Sequence, residues 1–204
     1  MTDKPAADSR DLAQFYIART DWHAPAEEQM RFRRAAALAR VPAGAAVLDI
    51  GARDRGLRRV LPDGVRYQGI EIDPAFARPD VLVHDISQGI PFPPGSYDFV
   101  FCLEVLEHVP NPFGTLSEIH RVLKPGGVLI VSVPNPYHFK EIIWNLFRIP
   151  DRQGHLYAWT RQTMTRLGEL NGFRLERTGG TYLHPPIRMV AMLARSIVYR
   201  FVRT

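Results

Sequence analysis

Apolar residues in this chain gather in short runs that end near a carboxylate. Ala46-Val47-Leu48-Asp49-Ile50 runs into Gly51-Ala52-Arg53-Asp54-Arg55-Gly56, and Val65 to Ile72 repeats the plan through Gly69-Ile70-Glu71-Ile72-Asp73. A third run, Asp80 to His84, ends in Asp85-Ile86, and a fourth, Tyr97 to Cys102, leads into Leu103-Glu104-Val105-Leu106-Glu107-His108-Val109. Leu123-Lys124-Pro125-Gly126-Gly127 breaks a helix before a fifth run, Val128 to Pro134. Runs of this length and purity predict buried parallel strands of an α/β domain. Open sheets of that kind bind ligands beyond the carboxyl ends of their strands, so the site is expected to begin at Gly51. An acidic residue about twenty positions after a glycine turn suits a ribose, whose two hydroxyls can donate to one carboxylate, and Glu71 stands there.

The intervening segments read as helices and turns. Asp11 to Arg19 carries Leu12, Phe15 and Tyr16 at helical spacing, and Pro25-Ala26-Glu27-Glu28 opens a helix that runs to Arg40. Leu57 to Leu61 and Pro74 to Pro79 are too short for crossover helices, which leaves that edge of the sheet thinly covered. Pro112 to Val122 predicts a helix; Thr160 to Leu170 predicts another, capped by Thr160 and stopped by Asn171-Gly172, before a strand from Phe173 to Thr178. In the tail, Arg188, Arg195, Arg200 and Arg203 share one arc at about 100° per residue, while Ile187, Val190, Leu193, Ala194, Ile197, Val198 and Phe201 fill much of the rest. That spacing predicts a cationic amphipathic helix over 187–204. Two readings of it stand: it lies in a membrane interface, or it packs on the exposed sheet edge or a second subunit. The expected organisation is a helical cover over 1–43, a main domain over 44–186 with an insert at 135–160, and the terminal helix.

Composition narrows the partners. The formal charge is +5, and only Lys4, Lys124 and Lys140 are lysines, so the excess is arginine. No basic stretch is interleaved with stacking aromatics, and nucleic acid is not an expected partner. The single cysteine, Cys102, offers neither a disulfide framework nor a thiolate cluster, and no His-Glu-x-x-His pattern appears, so no metal is expected. Without a long apolar span or an apolar core after Met1-Thr2-Asp3-Lys4-Pro5, the expected location is cytoplasmic, peripheral at the inner membrane face if the tail is interfacial.

Taken in this order, the five motifs between Ala46 and Thr178 resemble those of class I S-adenosylmethionine-dependent methyltransferases. They are similar within that family to small-molecule and lipid O-methyltransferases of the ubiquinone-biosynthesis type. Gly69 to Asp73 and Val131-Ser132-Val133-Pro134-Asn135 also resemble methyltransferase-like proteins associated with methionine biosynthesis. The resemblance implies a Rossmann-like three-layer sandwich with a mostly parallel central sheet, N-terminal helices and a C-terminal helix, with S-adenosylmethionine as cofactor. It further implies that Asp49, Gly51 and Ala52 shape the loop under the methionine part and that Glu71 takes the ribose hydroxyls. Asp85 would accept from the adenine amino group, Ile72 and Ile86 would flank the ring, and Leu103 would face the methionine end. One departure stands out, because the family's Gly-x-Gly-x-Gly becomes Gly51-Ala52-Arg53-Asp54-Arg55-Gly56. Either the turn shifts by one residue to use Gly56, or the arginines stand at glycine positions and weaken binding.

The implied reaction is methyl transfer to a hydroxyl of a small-molecule, lipid or glycan intermediate. The alternative is a non-catalytic, methyltransferase-like protein that binds and regulates a partner enzyme; the altered loop favours it, whereas the Glu71 and Asp85 pair favours the enzyme. Transfer from a sulfonium is mostly positioning, so a base is the main residue to seek. His155, in Gly154-His155-Leu156-Tyr157-Ala158-Trp159, and His108, in Leu106-Glu107-His108-Val109, are the candidates, with His138 third. By the same resemblance Tyr137 to Trp159 forms a substrate wall, and Phe15, Tyr16 and Trp22 either touch ligand or pack on the sheet. Oligomeric state and acceptor identity stay open at this point.

Overall fold

A computed structural model describes residues 14–18, 25–150, 153–181 and 194–204. A helical turn at 14–17 precedes helix α1 (Pro25–Ala39). Strands β1 (Ala46–Ile50), β2 (Arg66–Glu71), β3 (Val81–Val83) and β4 (Tyr97–Leu103) follow, joined by short turns. Helix α2 (Pro112–Val122) leads into β5 (Leu123–Pro134), then α3 (Phe139–Leu146), α4 (Arg161–Leu170), β6 (Phe173–Gly180) and β7 (Ser196–Arg203).

The sheet has seven strands in the order β3-β2-β1-β4-β5-β7-β6. β1 to β5 are parallel to their neighbours, and β7 runs antiparallel to both β5 and β6. Alternation along each central strand feeds two cores. Leu48, Val100, Cys102 and Leu129 face one side with Leu116 and Ile119 of α2 and Met164 of α4. Val47, Phe99, Phe101 and Ile130 face the other with Ala35 and Ala39 of α1. The result is the expected three-layer sandwich, since a parallel strand buried on both faces needs helices on each. Register places the strand ends side by side: Ile50 lies opposite Ile70 and Cys102, and Glu71 lies opposite Val83. The edge strand β3 leaves Leu82 and Val83 exposed, because only a three-residue helical turn, Pro74–Phe76, fits between β2 and β3.

Local chemistry explains α4. The Thr163 N–H donates to Thr160 Oγ1 at 3.1 Å, and Gly172 leaves the helix at φ 76°.

The C-terminal helix is not what the described tail builds. Ser196–Arg203 is β7, inserted between β5 and β6, so 196–203 belongs to the sheet, while 187–193 lies outside the described residues. On a strand, Tyr199 and Phe201 enter the core under α2 and α4, whereas Val198 and Val202 pack toward α1. Arg200 shares the α1 face because its guanidinium donates to Ala39 O at 2.9 Å and to Glu176 Oε2 at 3.0 Å. An arginine satisfied in this way fits an interior strand, yet in sequence it reads as the polar face of a helix. No described helix is long and apolar enough to cross a membrane.

Candidate active site

The site is built at the carboxyl ends of β1, β2 and β4. Gly51 turns the chain at φ 77°, and a Cβ there would lie 2.6 Å from Val105 Cγ2, so only glycine fits. The Gly51 and Ala52 N–H groups both donate to Ile70 O, at 2.9 and 3.1 Å, which ties the loop to β2. Arg53 and Arg55 take φ values of 43° and 64°. Gly56 is right-handed at φ −56°, and a Cβ on it would come within 2.3 Å of Phe32 on α1. The loop has therefore not shifted to use Gly56. The two arginines adopt the glycine conformation themselves, and Gly56 serves close packing instead.

Glu71 explains how the loop holds that shape. Its buried carboxylate accepts the Arg53 N–H at 2.9 Å on Oε2, and the Ile72 and Asp73 N–H groups at 2.8 and 3.3 Å on Oε1. The Arg53 guanidinium lies 3.8 Å from Glu28 of α1 and 5.6 Å over the Phe76 ring. Arg55 pairs with Asp80 at 2.7 Å. Asp85, ending the β3 segment, accepts the Ser87 N–H on Oδ1 at 2.9 Å and commits no oxygen beyond that turn.

A cavity of about 200 Å³ opens over these strand ends. Glu71, Asp73, Asp85 and Glu104 supply its carboxylates, while Ile50, Ile70, Ile72, Ile86 and Phe76 supply apolar wall. Gly51 and His108 line it as well, as does Tyr16 from the N-terminal turn. Asp49, Ala52, Leu103 and His155 are not in its lining. Asp49 is buried beneath the loop and accepts the Tyr67 hydroxyl at 2.7 Å. Burial pushes its pKa up to about 7, with Glu71 and Asp54 adding to the effect and the Tyr67 bond opposing it. Ala52 packs under Gly69, where an added Cβ would sit 2.7 Å from its own. Leu103 continues the face of Phe99 and Phe101 into the α1 core and does not face the cavity, because strand alternation assigns it there.

Glu104 is the lining residue that motif spacing missed. It stands at φ 56° just past β4, accepts the Ser132 hydroxyl on Oε1 at 2.9 Å, and lies 3.8 Å from Arg31. Carboxylates close β2 and the β3 segment too, so the signal was present in the sequence. Phe76 and His84, also in the lining, carry no comparable signal.

The structure brings His108 and His155 together, with ring centroids 5.0 Å apart. His108 Nδ1 is 3.4 Å from Gly154 O, which also accepts the Tyr16 hydroxyl at 2.7 Å, and the Tyr16 ring meets His108 edge-on at 4.9 Å. The N-terminal turn is thus pinned to the insert over the cavity, with Phe15 packed on Gly154. Trp22 lies outside the described residues. His138 is buried against Phe139 at the start of α3. In the insert, Tyr157 stacks on Trp159 at 5.2 Å and donates to Pro110 O at 3.0 Å. Phe139, Ile142, Ile143, Leu146 and Phe147 leave much of their surface exposed. Beside His108, Glu107 is fully buried; burial pushes its carboxyl well above the usual range, Glu104 adds to this, and Arg31 opposes it.

Known proteins share sequence and fold with this chain. A family model described as a methyltransferase domain matches residues 22–178. A 2-methyl-6-phytyl-1,4-hydroquinone methyltransferase from Synechocystis is 31% identical over 68% of this chain and 47% of its own length. A ubiquinone biosynthesis O-methyltransferase from Pseudomonas aeruginosa is 31% identical over 64% of this chain and 68% of its own. The chain thus spans about half the length of the first of these relatives. Among solved structures, the magnesium protoporphyrin IX methyltransferase of Synechocystis, with bound S-adenosylmethionine, superposes with a TM-score of 0.68 at 18% identity, covering 98% of this chain and 100% of that one. A methyltransferase from Haloferax volcanii, in complex with a methyltransferase activator, superposes with a TM-score of 0.71 at 21% identity, covering 96% and 97%.

Proposed function

This chain belongs to the S-adenosylmethionine-dependent methyltransferase family, and on that premise we propose that its cavity holds S-adenosylmethionine and directs its methyl group to a hydroxyl of a small-molecule, lipid or glycan acceptor. The observation that carries the reading is the placement of Glu71 and Asp85 at neighbouring strand ends on one apolar cavity. A ribose diol needs an acceptor at one end, an adenine amino group needs another, and the ring between them needs apolar walls. Glu71, Asp85, and Ile72 with Ile86 meet those three needs. The glycine at 51, where a side chain would collide, lets backbone approach the ligand closely. Asp49 acts from beneath, tying β1 to β2 through the Tyr67 hydroxyl.

When bound, the cofactor supplies an electrophilic sulfonium methyl. The protein's own task is then to orient the acceptor oxygen in line and to exclude water. His108 lines the cavity, and His155 packs against His108 from outside the lining. The exposed apolar surface of α3 suits an acceptor with a hydrophobic body, and the Pseudomonas relative is named for transfer to oxygen. Because Arg53 reproduces the backbone shape of the glycine it replaces, the altered loop does not by itself favour the non-catalytic regulator.

The test of acceptor class is transfer of labelled methyl from S-adenosylmethionine to a panel of phenolic quinols, lipid-linked alcohols and amines. Label in an alkali-stable methyl ether is the expected result. Label only on nitrogen or carbon would overturn the hydroxyl assignment.

A further inference from the structure

Glu107 has no exposed surface, and neither of its carboxylate oxygens has a hydrogen-bond partner among the described residues. Protonation does not resolve this, because it would leave a buried O–H donor unpaired in place of a charge. The terminal nitrogens of Arg31, the cation nearest in effect, are directed instead to Glu28 and Glu104, at 3.8 Å each, and its buried Nε also has no hydrogen-bond partner among the described residues. What does face Glu107 is imidazole. His108 Nε2 lies 4.0 Å from Glu107 Oε1, and one ligand atom each from Glu107, His108 and His155 fall within 4.8 Å of one another.

We propose that Glu107, His108 and His155 bind a divalent cation of the zinc class, beside the cavity wall that His108 lines. Two imidazoles and one carboxylate form a recurrent ligand set for such ions, and three protein ligands leave positions open to a substrate oxygen. Ligand atoms about 2.1 Å from a tetrahedral ion are about 3.4 Å apart, so binding draws this trio slightly together. The groups around the trio suit it. Gly154 O, beside His108 Nδ1, favours the tautomer that leaves the Nε2 lone pair toward Glu107. The Leu156 N–H donates to Glu107 O at 2.8 Å, which fastens the residue after His155 to the loop that follows β4. The three ligands come from two segments distant in sequence, which is why no spacing pattern announced them.

The consequence for chemistry rests on the methyl-transfer reading. A hydroxyl bound to the cation becomes more acidic and loses its proton to water. Its oxygen lone pair then forms the bond to the methyl carbon as the C–S bond breaks, with that pair remaining on sulfur. The cation thus takes the place of a protein base, and the two histidines act as its ligands.

The test uses the full chain stripped with chelator, titrated with Zn²⁺ alone by calorimetry and with Co²⁺ by visible absorption. One equivalent of tight binding and the intense bands of a low-coordinate Co²⁺ site are expected. His155→Ala and the isosteric Glu107→Gln should each weaken Zn²⁺ by more than about tenfold. S-adenosylhomocysteine binding, measured in the same preparations without metal, should persist in His155→Ala, so failure of the metal site and failure of the cofactor site are distinguishable. Equal Zn²⁺ affinity in folded His155→Ala and the parent chain, or no site in the parent, would overturn the proposal.

Discussion

Arg53 donates its backbone N–H to Glu71 Oε2 at 2.9 Å, so the residue standing at a glycine position of the loop is fixed by the carboxylate at the end of the next strand. The bond explains how arginine persists at φ 43°. A left-handed L-residue costs about 1–2 kcal/mol, and a charge-assisted hydrogen bond offsets a cost of that size.

Replacing Arg53 by glycine should therefore change stability little, within about 1 kcal/mol, because relief of the left-handed conformation is set against the greater unfolded-state entropy of glycine. Arg53→Val should be less stable than Arg53→Gly by about 2 kcal/mol, since a β-branched side chain tolerates positive φ poorly. Urea unfolding of the two variants checks this. Equal midpoints would mean that the loop relaxes out of the left-handed region.

The parts legible in the sequence were those where one physical requirement dominates. β1, β4 and the part of β5 from Val128 are buried on both faces and appear as mainly apolar runs, and Thr160 with Asn171-Gly172 bounds α4 by local hydrogen bonding alone. The end of the chain was not legible, because Ile197, Val198, Tyr199 and Phe201 with Arg200 satisfy a helical arc and a strand alternation about equally. Backbone pairing with β5 and β6, together with the Ala39 carbonyl and Glu176 that take the Arg200 guanidinium, decides for the strand, and none of it is local in sequence. In the site, Glu71 and Asp85 could be placed from strand ends. The meeting of His155 with Glu107 and His108 depends on how the insert folds back, and no local pattern encodes that.

Because β7 separates β5 from β6, deleting 194–204 should abolish folding. It would strip hydrogen-bond partners from both neighbouring strands and remove Tyr199 and Phe201 from the core. Loss of a cooperative melting transition, with an insoluble product, is the expected outcome. A soluble truncated chain that melts cooperatively would contradict the sheet order.

Stability should fall as pH rises through the range between the unfolded and native pKa values of Asp49. The unfolded carboxyl titrates near 3.8, and the buried one is raised to about 7. Between those values the native state holds more protons than the unfolded state, so raising the pH favours unfolding; above about pH 7 the contribution is level. Asp49→Asn still accepts the Tyr67 hydroxyl but cannot titrate. Its unfolding midpoint should decline less than the parent's between about pH 5 and about pH 8. Parallel curves for the two proteins would place the raised pKa elsewhere.

Calorimetric titration of S-adenosylhomocysteine into the full chain asks whether the Glu71 and Asp85 cavity is the cofactor site. One site per chain is expected, weakened by Glu71→Ala and by Asp85→Ala. Each loss should correspond to roughly 1–3 kcal/mol, about ten- to a hundredfold in affinity, because each removes the acceptor of a ligand hydrogen bond. Absence of binding to the folded parent chain, or unchanged affinity in both variants, would contradict it.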